Sequence, residues 1–102
     1  MILSFADQST EKIFTGTPLS RKESKFFGDL RIEKAQERLL LLNASSEKQL
    51  LLVPPAQYHS LKGSKRYSID ANSRTSKWRI TFSWKNEDLT DVELVKIEDT
   101  HK

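Results

Sequence analysis

Two histidines, a carboxylate at position 99 and a set of cations are the side chains of this 102-residue chain that could do chemistry. His59 sits beside a basic stretch, and Asp99 and His101 lie two residues apart in the last few positions. Imidazoles titrate near neutrality and can both take and give a proton. Lys62 and Arg79 could hold a phosphate, the guanidinium better because it stays charged and presents a fork of donors. This inventory is the one needed to cleave RNA without a metal: a base for the 2′-OH, cations for the crowded phosphate, and an acid for the leaving 5′ oxygen. Each residue also has a plain structural role open to it. His59 could be a hydrogen-bonded strand residue, His101 a frayed tail, and Arg79 a partner for Asp91 or Glu93 on a neighbouring strand. There is no Gly-rich phosphate loop, no Ser-His-Asp spacing and no zinc-ligand pattern, so no metal or cofactor is expected.

The charge distribution bears on the partner. The formal net charge is only +3, but residues 57–85 hold Lys62, Lys65, Arg66, Arg74, Lys77, Arg79 and Lys85 against one acid, Asp70. A basic middle followed by an acidic run suggests an anionic partner, nucleic acid first. Lys65, Arg66, Arg74 and Lys77 are the candidate RNA contacts around the central set; the alternative is a solvated face with scattered cations. With no cysteine, nothing needs an oxidising compartment and no thiolate metal site is possible. The apolar residues 1–5 are soon interrupted by Asp7 and Glu11. They are too short for a signal peptide or a membrane span, so the expected location is the cytoplasm, with no membrane contact.

The elements that must position these groups follow from periodicity. Residues 77–85 alternate without a fault: Trp78, Ile80, Phe82 and Trp84 on one side, Lys77, Arg79, Thr81, Ser83 and Lys85 on the other. Period two, with β-branched and aromatic residues, predicts a strand with one apolar and one basic face. Residues 2–5 read as a short strand, and Asp7 as the N-cap of a helix over 8–14, ended by Gly16 and Pro18. Ser20 and Glu23 form a capping box opening a helix to about Leu42. Ile32, Ala35, Leu39 and Leu42 make its apolar stripe, with Phe27 and Leu30 earlier and Leu40 and Leu41 widening it. Gly28 marks either a break between two helices or a close contact. Ser45 or Ser46 caps a short turn through Leu50, and Pro54 and Pro55 halt the apolar run. Strands are predicted over 58–62, 66–71 and 92–98, the last apolar on both sides as an inner strand is. Trp78, Trp84, Phe82 and Tyr67 share the apolar side and read as core rather than base-stacking platforms. The order predicts one α+β domain over residues 1–102, with an N-terminal strand and two helices packed on one face of a mostly antiparallel, twisted sheet.

Several of these segments resemble a known family. His59-Ser60-Leu61-Lys62-Gly63, then Tyr67-Ser68-Ile69, then Trp78-Arg79-Ile80-Thr81-Phe82, then Asp99-Thr100-His101 are similar, in order and approximate spacing, to motifs of the HigB-type toxins of the RelE/ParE superfamily, the plasmid maintenance system killer proteins. The resemblance implies a RelE-like fold and a type II toxin that cuts mRNA on the ribosome. It also implies a HigA-like, helix-turn-helix antitoxin as partner, with operator DNA bound only through that complex. Carried over by position, His59, Lys62, Arg79, Asp99 and His101 match the catalytic set. Arg79 and Lys62 would hold the phosphate, and the histidines and Asp99 would handle protons, with base and acid unassigned between the histidines. The sequence departs from the family at Thr100, where a tyrosine is usual; a tyrosine ring can stack on a base and a threonine cannot. Residues 72–77 also make a longer loop than usual. The alternative on the same scaffold is a non-catalytic toxin that inhibits DNA gyrase by protein contact.

Overall fold

The computed structural model describes residues 1–73 and 75–100; Arg74 and His101, two of the candidate site residues, lie outside them. Four helices precede four strands: α1 (Gln8–Thr15), α2 (Arg21–Phe27), α3 (Ile32–Ala44) and α4 (Glu47–Leu51), then, after a 3-10 turn at Pro54–Ala56, β1 (His59–Ser60), β2 (Tyr67–Asp70), β3 (Trp78–Trp84) and β4 (Val92–Asp99). The strands form one antiparallel sheet in the order β1-β2-β3-β4. The fold is α+β. No helix among the described residues is long and apolar enough to cross a membrane.

Local chemistry sets the helix boundaries. Asp7 caps α1, its carboxylate accepting from the Thr10 amide. Ser20 and Glu23 form the expected capping box on α2. The single long helix expected after Ser20 is two helices: the chain leaves α2 at Gly28, at φ +50, where a side chain would be strained, and re-enters helix at Ile32. Ser46 caps α4 with Gln49 as reciprocal partner. The apolar stripe of α3 is Ala35, Leu39 and Leu42, all fully buried. Leu40, expected to widen that stripe, faces solvent.

The core lies between the helices and the face of β3 that carries Trp78, Ile80 and Phe82, which packs with Ile13, Phe27, Leu39, Leu42 and Leu50. Each of these large side chains contributes about 1.5–3 kcal/mol by leaving water. Trp78 is held from two sides, its ring edge-on to Phe26 and Phe27 and its indole N–H donating to Asp29 at 3.1 Å. Residues 2–5 form no strand. They run beside β4 through isolated parallel bridges from Ile2 to Val92 and Phe5 to Val95. Even so, β4 has neighbours on both sides.

The two apolar sides expected of β4 are a phase slip. Pairing runs Thr81 to Lys96 but Ser83 to Glu93, so two residues of β4, Leu94 and Val95, oppose the single residue Phe82. Leu94 takes φ +54 and stays about half exposed. This β-bulge puts Val92, Val95 and Ile97 in the core and Glu93, Lys96 and Glu98 on the other face.

Two predictions follow from these contacts. Glu23 gathers the Lys12 ammonium at 2.7 Å, the Ser9 hydroxyl and the Ser20 amide, which together push its pKa down to about 2. A carboxylate depressed from its ordinary value near ~4.3 stabilises the fold fully above about pH 5 and loses that contribution as pH falls toward ~2. Glu23→Gln therefore lowers the thermal midpoint at pH 7, and its gap from the parent closes in a series of melts run down to pH 2. Leu94→Asn relieves a left-handed leucine that the core does not need; chemical denaturation should show it neutral to about 1 kcal/mol more stable.

Candidate functional site

Antiparallel register decides which side chains share the face opposite the helices. Residues paired across antiparallel strands lie on the same side of a sheet. His59 pairs with Ser68, Ser68 with Thr81, and Thr81 with Lys96, which gives one row across all four strands. The next row is Asp70, Arg79 and Glu98. On the other flank Ser83 pairs with Glu93, and Arg66 leans in from the start of β2. His59 and Arg79 thus stand on one face, as the sequence reading required. With strands ~4.8 Å apart and a rise of ~3.4 Å per residue, their Cα atoms are roughly 12 Å apart.

This face is more enclosed and more nearly neutral than a bare basic platform. Ser68 and Thr81 are fully buried and Asp70 is 1% exposed. The centre is held by Arg66. Its guanidinium donates to Thr81 Oγ1 at 2.9 Å, Ser83 Oγ at 3.2 Å and the Leu94 carbonyl at 2.9 Å. Thr81 in turn donates to Glu98. Burial pulls the Arg66 pKa below its ordinary value, and the Glu98 carboxylate opposes that shift. Arg79 does not pair with Asp91 or Glu93. Its Nε lies 3.5 Å from Asp70, and Nη1 donates to the carbonyls of Ser76 and Trp78. Among the described residues, Asp70, Glu93 and Glu98 stand against Arg66, Arg79, Lys96 and, at the edge, Lys85, whose ammonium lies 3.7 Å from Glu93.

His59 is exposed, and its Nδ1 lies 3.2 Å from Ser68 Oγ. Lys62 and Lys65 lie in the exposed β1–β2 turn, at the end of the sheet away from Arg79. Four residues of β2 separate that end from the Asp70–Arg79 row, about 13 Å along the strand, so the structure does not bring Lys62 to Arg79. Asp99 pairs with Trp78, so its register places it on the helix-facing side, one residue past the Glu98 that faces Arg79. Lys77 is exposed beside β3, with its ammonium 5.2 Å from the Trp78 ring. Among the described residues no cluster of His, Cys, Asp and Glu could hold a metal ion.

Sequence reasoning named Glu93 but missed Asp70 and Glu98 as the carboxylates beside Arg79. Glu98 was legible in principle: counted back from the end of β4, 98 and 96 alternate against 99 and 97. Asp70 sits opposite Arg79 once the β2–β3 register is known. The aromatics belong to the other side, as expected. Tyr58 stacks on Tyr67 and donates to Glu47 at 2.6 Å, and Trp84 donates to the Tyr58 oxygen at 3.1 Å. Burial, then the Glu47 carboxylate, raises the Tyr58 pKa above its ordinary value.

No protein-family model, curated protein or solved structure matches the chain, so the likeness to HigB-type toxins rests on its motifs alone.

The Arg66 contacts generate a stability prediction. Arg66→Ala removes three hydrogen bonds from a charged donor and leaves buried Thr81 short of a partner. Urea unfolding should show a loss of about 1–3 kcal/mol. Arg66→Lys, a point donor that cannot reproduce the fork, should recover less than half of that.

Proposed function

We propose that the chain is a type II toxin with a RelE-like fold, acting as a ribosome-dependent endoribonuclease on mRNA. One observation carries the reading: His59 and Arg79, which come from separate motifs, stand on the same face of the sheet, on the side away from the helices. A phosphodiester between them is within reach of an imidazole on one side and a guanidinium on the other. His59 would move a proton between the 2′-OH or the leaving 5′ oxygen and solvent, with Ser68 fixing the tilt of its ring. Arg79, held by Asp70 and two carbonyls, would lend the phosphate a positive charge whose position is already fixed, so little freedom is lost on meeting it. Lys62 and Lys65 at the hairpin tip would then follow the RNA backbone further along. Asp99 and His101 complete the set by resemblance. A HigA-like antitoxin would silence the chain, and cytoplasmic action follows from the substrate.

A second reading is supported by the neutral balance of this face, by Asp70 against Arg79, and by Thr100 in place of the family tyrosine. On it, the same fold inhibits DNA gyrase by protein contact and cleaves nothing.

Brief induction in a bacterial host, followed by primer extension on translated transcripts, separates the two. Under the first reading growth stops, new 5′ ends appear within coding regions, and His59→Ala and Arg79→Ala each lower cleavage by about a hundredfold or more. Intact transcripts with loss of supercoiling activity sink the nuclease reading in favour of the second. Unimpaired growth sinks both.

A further inference from the structure

On the far side of the β2–β3 loop lies an open pocket of about 480 Å³, between that loop, α3 and the two prolines Pro54 and Pro55. Lys34 and Arg38 enter it from α3, and Asn72 and Ser73 from the loop. Positions 34 and 38 are one turn apart, so the two cations stand on one helix face. Two polar atoms here are buried with no hydrogen-bond partner among the described residues: Arg38 Nε and Asn72 Oδ1. Among the described residues, Lys34 is engaged by a surface ion pair to Glu37 at 3.4 Å, with both side chains substantially exposed, a contact weak enough to exchange. Buried N–H donors are almost always paired, and a half-buried guanidinium is the group best shaped to bind a tetrahedral oxyanion. An amide beside it can serve either way, donating through its NH2 to an anion or accepting from a ligand hydroxyl.

We infer that Lys34, Arg38, Asn72 and Ser73 form a phosphate-binding site separate from the His59–Arg79 face. The cations neutralise the anion, the Arg38 Nε–H supplies a directed donor, and the Asn72 amide and Ser73 hydroxyl complete the ring of partners. The volume exceeds that of a phosphate and leaves room for an attached sugar. The phosphate can therefore be free or part of an RNA strand. The inference does not depend on the nuclease reading.

The test is a titration of the ¹⁵N-labelled full chain with inorganic phosphate, at constant ionic strength and followed at the Arg38 Nε–Hε resonance. The expected result is a saturable shift in the millimolar range that chloride does not reproduce. Arg38→Gln should weaken binding, read from the remaining amide shifts of the loop, by about tenfold or more, the worth of one charge-assisted hydrogen bond. Lys34→Ala, whose side chain already reaches solvent, provides a second loss should Arg38→Gln fail to fold. A parallel titration with a 5′-phosphorylated, 2′-O-methylated trinucleotide identifies the source. Tighter binding than inorganic phosphate assigns the site to an RNA strand, and equal binding assigns it to free phosphate. A linear, unsaturable response matched by the exposed lysines means an adventitious ion only and overturns the inference.

Discussion

The guanidinium of Arg66 ties three strands together on the face turned away from the helices. It reaches Thr81 and Ser83 on β3 and the Leu94 carbonyl on β4 from its own place at the start of β2. Without that span the second face would be a row of small hydroxyls beneath unpaired charges. With it, Thr81 is sealed from water and passes a hydrogen bond on to Glu98. Arg79 and His59 flank this centre, one row and two strands apart. The site is therefore a rigid polar layer, ordered before any ligand arrives. Such preorganisation favours directed contacts over general attraction, because the neighbouring acids cancel most of the long-range field.

That cancellation changes how the basic composition of residues 57–85 is to be understood. Along the chain the cations look unopposed, since the acids of β4 come later in the sequence. In space, Glu93 and Glu98 lie beside Ser83 and Arg79. Among the described residues, positive charge away from these acids is left mainly at the periphery: in the β1–β2 turn and at Lys77. An RNA partner would be drawn to the rim and read at the centre.

Most of the fold was legible in the sequence because its signals are local. The Ser20–Glu23 box, the Asp7 cap and the alternation of residues 78–84 each name their own structure. What could not be read depends on pairing. The partner of Arg79 is Asp70 rather than Asp91 or Glu93 because a hairpin register, and no local pattern, sets that choice. Asp99 and Glu98 are neighbours in sequence, yet a strand sends them to opposite faces, so a motif that spans both says nothing about which one meets Arg79. Lys62 and Arg79 belong to motifs of one resemblance, but the β1–β2 turn carries Lys62 to the end of the sheet away from Arg79. The isolated bridges of residues 2–5 could not be told from a strand, since Ile2, Leu3 and Phe5 look the same whether they pair once or throughout.

The bulge at Leu94 has one more consequence. The bulge absorbs Leu94 as one residue more than the ladder uses. Realigning β4 without it would set Glu93 opposite Trp84, inside the greasy layer, and move Leu94 out beside Ser83. Removing Leu94 itself would leave Ser83 opposite Glu93 and Trp84 opposite Val92 in an unbroken ladder. The near half of the strand therefore keeps its phase whether this position is bulged out or absent, and loses it only if Leu94 is drawn into the pairing.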